Sequence, residues 1–183
     1  VNGKTNLYKS SVEKFTKLSP EKTAYHFISE DGNEAKVSYF ELNSKVSKLA
    51  NGLKSLGVKK GDVIAIYLPM IEEAIVSILA ASKIGAVQTI IFSGYSSEAL
   101  KIRLQDCHAK ILLTSDGFQR KGKSISQKIN VKTAIIDTDI EKVIVIPYKE
   151  IDKYEKSSKF QFYDELVSNQ KDTCYTEIMN SED

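Results

Sequence analysis

The chain has 183 residues, of which 42% are hydrophobic and 27% charged. That composition suits a globular protein with one sizeable core. The formal net charge of +2 gives no global field toward nucleic acid or membrane, and neither is expected as a partner. Cys107 and Cys174 lie far apart, with no Cys-x-x-Cys pair or His/Cys cluster, which argues against a structural zinc site. Val1–Lys9 lacks the apolar run of a secretory signal, and the most apolar stretch, Ala74–Ala81, is too short to span a bilayer. The expected location is the cytoplasm. Val1 is not an initiator Met, so the chain is expected to be processed or part of a longer protein.

Residues 1–20 are polar and carry no clear periodicity. Thr23–Ile28 and Lys36–Val37 read as strands of a hairpin turning at Asp31-Gly32. Ser38-Tyr39-Phe40-Glu41 fits a capping box, in which a Ser hydroxyl bonds the N3 amide and the Glu reaches back. Leu42, Val46, Leu49, Ala50, Leu53 and Leu56 follow at helical spacing, and Gly57 ends the helix because it enters the left-handed region without steric cost. Val63–Leu68 is a continuous apolar run, as in a strand buried on both faces of a parallel sheet. Glu72–Ile84 reads as a helix with Glu72 and Glu73 at its positive end. Ala86–Phe92 predicts a strand, Ser97–Cys107 a helix with a Ser cap, and Lys110–Thr114 a strand. Beyond Lys123 the pattern weakens: Ala134–Ile136 and Lys142–Ile146 read as strands, Tyr163–Asn169 as a short helix, and residues 170–183 as a linker or surface tail. Alternating strands and helices predict an α/β fold with a doubly wound, mainly parallel sheet and flanking helices.

Open parallel sheets bind ligands at the carboxyl ends of their strands. Two segments leave such ends. In Phe92-Ser93-Gly94-Tyr95-Ser96, Gly94 permits close backbone approach and the following helix start offers free amides to an anion. In Asp116–Lys123, three cations and two glycines fall within eight residues; Arg120 could grip a phosphate bidentately, with Lys121 and Lys123 adding charge. An ordinary strand-to-helix turn and a solvated basic turn explain the same residues, and the sequence by itself leaves both readings open. There is no Walker or dinucleotide motif. Cys107 beside His108 makes a poor nucleophile–base pair, because adjacent helix residues diverge. No carboxylates have acid–base spacing, and the aromatic residues scatter as core residues do.

Several blocks resemble the acetyl-CoA synthetase branch of the AMP-forming acyl-CoA synthetases. They are Val37–Leu42, Lys48–Leu53, Leu56–Asp62, Ile66–Met70, Lys83–Ala86, Phe92–Leu100, Arg103–Asp106, Arg120–Lys123 and Met179–Asp183. The resemblance implies a fold that is the first part of the large N-terminal domain of an adenylate-forming enzyme. Residues 1–22 are then an N-terminal extension, 23–168 an α/β subdomain of the AMP-binding domain, and 169–183 a linker into a phosphate loop beyond Asp183. It also implies a two-step ligase whose full-length form uses ATP, CoA and Mg with a short-chain carboxylate. An acyl-AMP forms with release of pyrophosphate, and the CoA thiol then displaces AMP. By position, Phe92, Ser93 and Gly94 would line the CoA adenine, and Arg120 and Lys123 would contact the 3′-phosphate region. Lys123 stands where many members have Arg, Gln88 where acetyl-CoA synthetases commonly show His, and Tyr95 where they commonly show Phe.

The adenylating loop, the acyl pocket and the C-terminal lysine of that family are not among these residues, so the resemblance implies no catalytic residue here. The 183 residues alone are expected to be inactive and to require no cofactor. Apolar strands such as Val63–Leu68 would favour self-association of such a piece. The alternative is a self-standing α/β module that binds a nucleotide or a protein without chemistry. A flavodoxin- or receiver-like signalling domain would want acidic residues where Leu68-Pro69-Met70 stands.

Overall fold

The computed structural model describes residues 3–29, 32–148, 150 and 152–181. In chain order its elements are β1 (Lys4–Thr5), a π-helical turn (Lys9–Glu13) running into α1 (Lys14–Leu18), β2 (Thr23–Ile28), β3 (Glu34–Ser38), α2 (Tyr39–Ser55), β4 (Val63–Tyr67), α3 (Glu72–Lys83), β5 (Val87–Ile90), α4 (Ser97–Cys107), β6 (Ile111–Ser115), β7 (Gly117–Arg120), β8 (Lys123–Ser126), α5 (Lys128–Ala134), β9 (Lys142–Ile146), β10 (Phe160–Phe162), α6 (Tyr163–Ser168) and β11 (Met179–Asn180). Two compact units result, one from residues 1–61, 75–87 and 167–183, the other from 62–74 and 88–166. Among the described residues, no helix is long and apolar enough to cross a membrane.

The first unit is organised by α2. Its expected capping box is present: the Glu41 N–H donates to Ser38 Oγ at 3.2 Å, and Glu41 Oε2 accepts from the Ser38 N–H at 2.8 Å. The buried stripe Leu42, Val46, Leu49, Ala50 and Leu53 follows the spacing read from sequence. The helix ends at Ser55, with Leu56 as its cap. The Val58 N–H reaches back to Leu53 O at 3.2 Å and the Gly57 N–H to Lys54 O at 3.0 Å, the paired bonds of a Schellman motif with Gly57 just beyond the cap.

The chain ends of this unit are tied down by side-chain amides. Asn6 Nδ2 donates to the carbonyls of Ser82 and Glu177, each at 2.8 Å. Asn51 Nδ2 donates to those of Lys171 and Thr173, each at 2.9 Å. Lys4–Thr5 and Met179–Asn180 pair antiparallel. The hairpin β2–β3 forms as expected, and its anticipated turn at Asp31-Gly32 falls partly outside the described residues.

The second unit is built on a five-stranded sheet of order β10-β9-β6-β4-β5. The pairs β10–β9, β9–β6 and β6–β4 are parallel, in the registers Ile64↔Ile111, Ala65↔Leu112↔Val143 and Tyr67↔Thr114↔Val145. The doubly wound α/β architecture is as the alternation implied. On one face, Ala65, Tyr67, Leu112, Val143 and Val145 form a core with Leu100 and Leu104 of α4 and Val131 and Ala134 of α5. The alternate residues Ile64, Ile66, Ile111, Leu113, Ile144 and Ile146 are buried too. Burial on both faces explains why these strands read as unbroken apolar runs.

Two expectations are corrected. Ala134–Ile136 is not a strand: Ala134 closes α5, and Ile135 caps it. Parallel strands β6 and β9 need a crossover, and Val131, Ala134 and Ile135 lie at the i, i+3, i+4 spacing that buries one face of a short helix. Asp116–Lys123 is not an irregular loop either. Gly117–Arg120 and Lys123–Ser126 pair as an antiparallel hairpin, leaving only Lys121-Gly122 as the turn.

Candidate functional site

Numbered within the sheet, the strands run second, first, third, fourth, fifth from the β5 edge. Successive connections therefore diverge between β4 and β6, the point where an open α/β sheet forms its ligand crevice. The loop after β5 and the hairpin after β6 emerge on either side of β4, and both contain the residues singled out from sequence. The order is that of flavodoxin-like sheets, but Leu68-Pro69-Met70 follows the first strand, without the acidic residues a receiver-like site would use.

In the first segment, Phe92 is 60% exposed while the adjoining Ser93 is buried. The Phe92 ring folds over the Gly94 backbone: a Cβ at Gly94 would lie 2.6 Å from Phe92 Cε1. No larger residue could occupy that position with the ring in place. Tyr95 meets Phe92 edge-on at 5.6 Å between centroids, and the Arg103 guanidinium lies 4.2 Å from the centre of the Tyr95 ring. Tyr67, at the end of β4, donates its hydroxyl to the Tyr95 carbonyl at 2.7 Å. Burial pushes the Tyr67 hydroxyl's pKa up, with the Gln127 and Asn130 side chains pulling the other way. The loop is thus an exposed aromatic face on a fixed base. Its helix begins with the expected cap, the Ala99 N–H donating to Ser96 Oγ at 3.3 Å.

In the second segment, Arg120 and Lys123 are partners in the β7–β8 register and flank the turn. Both side chains are exposed, as is Lys121 at the tip. On the β7 side the base of the hairpin is buried, whereas β8 is exposed along its length. The Asp116 N–H donates to Ile146 O at 3.2 Å, and Asp116 Oδ1 accepts from the Tyr148 N–H at 2.9 Å. Asp116 also borders a cavity of about 190 Å³ with Val145, Pro147, Asp152, Tyr154 and Phe162.

One residue that sequence reasoning passed over connects the two segments. Gln127 is completely buried. Its Nε2 donates to the Ser93 carbonyl at 3.2 Å, and its Oε1 lies 2.5 Å from Ser115 Oγ. The Gln127 N–H donates to Asp116 O at 3.2 Å. The Phe92–Gly94 loop and the root of the hairpin therefore share a side chain. A lone glutamine after a run of Lys and Ser gives no periodic signal, and its inward direction is set where β8 gives way to α5.

The remaining candidates have structural roles. The Cys107 thiol faces the Leu104 carbonyl at 3.8 Å and burial raises its pKa, so it is a poor nucleophile. His108 caps α4 in a left-handed conformation, with Nδ1 2.7 Å from Asp139 Oδ2. In the first unit, a cavity of about 290 Å³ is lined by Glu13, Asn43, Lys83, Cys174 and Thr176 among others.

Comparison with known proteins places this geometry in a family. The sequence pattern of the AMP-binding enzymes matches residues 12–178. The acetyl-coenzyme A synthetase of Methanothrix thermoacetophila is 42% identical over 186 aligned residues, covering 100% of this chain and 28% of that protein. The enzyme of the same name from Helicobacter acinonychis is 39% identical over 188, with the same coverage. Among solved structures, acetoacetyl-CoA synthetase from Streptomyces lividans superposes with a TM-score of 0.86 at 25% identity, covering 97% of this chain and 27% of that one. The chain thus spans little more than a quarter of the length of these relatives, and over nearly its whole extent it belongs to the family of AMP-binding enzymes.

Proposed function

We propose that this chain contributes part of the CoA nucleotide site of an AMP-forming short-chain acyl-CoA ligase, active in the cytoplasm as a longer protein. The supporting observation is the pairing of an exposed aromatic face with a cationic hairpin tip, both emerging beside the switch point of the sheet and joined through Gln127. The relatives' names point to CoA as the thiol acceptor and acetate as the carboxylate.

The parts divide the work by their chemistry. Phe92 offers its outer face to the adenine ring, and Gly94, without a side chain, lets the Phe92 ring lie over the loop backbone. Ser93, with its carbonyl held by Gln127, fixes the loop between them. Arg120 presents a planar fork to the 3′-phosphate, and Lys123 adds a compact charge beside it. In the full-length enzyme, Mg-ATP would activate the carboxylate as an acyl-adenylate before the CoA thiol attacks. These residues would bind and orient CoA and perform neither bond-making step. Catalysis of adenylation needs charge stabilisation at the α-phosphate, which falls to residues outside this chain.

The test is calorimetric titration of CoA into full-length protein, wild type beside Arg120→Ala. Losing a bidentate phosphate contact should weaken binding about tenfold or more. Equal affinities would remove Arg120 from the site. The 183-residue chain alone should release no pyrophosphate from Mg-ATP and acetate above background; turnover would show that adenylation resides here.

A further inference from the structure

The nucleotide reading needs two segments, separated in sequence by more than twenty residues and borne on different strands, to meet the adenosine and 3′-phosphate of one ligand. A ligand spanning both gains affinity only if their spacing is set before it arrives. We infer that Gln127 is the positioning residue that sets it, an inference that rests on the CoA reading above. Its amide holds the Ser93 carbonyl, and through it the Phe92 ring and the Gly94 backbone, against the root of the hairpin that carries Arg120 and Lys123.

The side-chain chemistry fits this task closely. Nε2 must donate to a carbonyl, 3.2 Å away, while Oε1 faces a hydroxyl 2.5 Å away. A glutamine amide offers a donor and an acceptor on one planar group without depending on pH. Glutamate would turn an acceptor toward the Ser93 carbonyl, and leucine would leave that carbonyl unpaired. Because Gln127 and Ser93 are buried, water cannot readily replace the lost bond. The Gln127 backbone is itself pinned by the Asp116 carbonyl at 3.2 Å, so the side chain works from a fixed anchor. Ser115, whose hydroxyl also lies 2.7 Å from the Gly117 carbonyl, connects this link to the first residue of β7. Gln127 touches no ligand atom in this scheme and acts through Ser93.

The experiment compares Gln127→Leu with wild type in the full-length enzyme, using two readouts. One is the CoA dependence of the complete reaction. The other is ATP–pyrophosphate exchange with acetate in the absence of CoA, which reports adenylation alone. The expected result is a rise of about tenfold in KM for CoA with exchange unchanged. An unchanged KM for CoA would overturn the inference, and so would a proportional loss of exchange, which marks a general structural role. If Gln127→Leu does not fold, Ser115→Ala removes only the hydroxyl that braces Oε1. It should raise KM for CoA about threefold with exchange intact, and no change would again count against the idea. Arg120→Ala measured in parallel separates the two layers. An effect at Arg120 with none at Gln127 defeats only the positioning role, whereas no effect at Arg120 removes that residue from the nucleotide site.

Discussion

Arg120 and Lys123 face each other across the β7–β8 hairpin and close a two-residue turn in which Lys121 and Gly122 both have positive φ, 52° and 73°. Such a turn matches the right-handed twist of its flanking strands. It also points two cations the same way from a common base, which a disordered basic loop of the same composition would not do.

The turn therefore has a backbone requirement separable from its charge. A Cβ at Gly122 would meet nothing within 4 Å, so any cost of Gly122→Ala is conformational, about 1 kcal/mol. We predict that Gly122→Ala lowers stability in a denaturant titration by about that amount and weakens CoA binding although no charge is lost. Lys121→Asn, which tolerates the left-handed region better, should leave stability unchanged or slightly improved.

The capping box of α2 makes an acid-dependent contribution. Hydrogen bonds from the Ser38 backbone and hydroxyl hold the Glu41 carboxyl below its ordinary pKa. A depressed carboxylate pKa adds stability that is fully present above the unfolded value of about 4.3. That stability is lost as pH falls through the folded value. Urea midpoints of wild type and Glu41→Gln should differ at pH 7 and converge toward pH 3. Ser38→Ala should cost about 1 kcal/mol at neutral pH.

Lys83 shifts stability in the same direction with pH but in the alkaline range, and there the fold disfavours the charged form. It is 2% exposed, with Nζ 3.2 Å from Thr176 Oγ1 and 4.0 Å from the centre of the Tyr8 ring. Thr176 in turn donates to Glu13 at 2.8 Å. Burial lowers the Lys83 pKa despite nearby negative partners. Between the lowered folded pKa and the unfolded value of about 10.4, the unfolded state binds more protons, so stability rises with pH. Relative to Lys83→Met, the wild type should gain stability as pH rises toward the unfolded value of about 10.4, as read from guanidinium midpoints. A constant difference would show that Lys83 keeps its ordinary pKa.

Tyr154 is buried, and its hydroxyl has no hydrogen-bond partner among the described residues. Its ring packs against Phe160 at 5.5 Å between centroids. Removing only the hydroxyl should relieve a desolvated polar group, so Tyr154→Phe should be neutral or stabilising by about 1 kcal/mol. A loss of that size in thermal denaturation would mean that a bound water satisfies the oxygen.

What was legible in the sequence was local or strongly periodic. The α2 cap at Ser38, its buried stripe and its Gly57 exit are decided by side chains within a few residues of one another, as are the Ser96 cap and the apolar runs of β4, β6 and β9. The candidate loops were legible because glycine, an exposed aromatic and clustered cations stand beside those elements. The hairpin was missed because Lys in a left-handed conformation gives a weak turn signal. α5 was missed because three apolar residues in a row resemble a strand until a parallel neighbour demands a crossover.

Sequence alone thus determined α2, α3 and α4 with the caps at Ser38 and Ser96, the buried strands β4, β6 and β9, and the residue types at the candidate site. Tertiary structure alone decided that β5 lies at the sheet edge beyond β4, and that Gln127 turns inward to the carbonyl of Ser93. The physical reason is range. Caps and periodicity follow from interactions within one or two turns of chain. Strand order and a buried amide's partners are fixed only when distant segments exclude water together and leave each polar group a single place to bond.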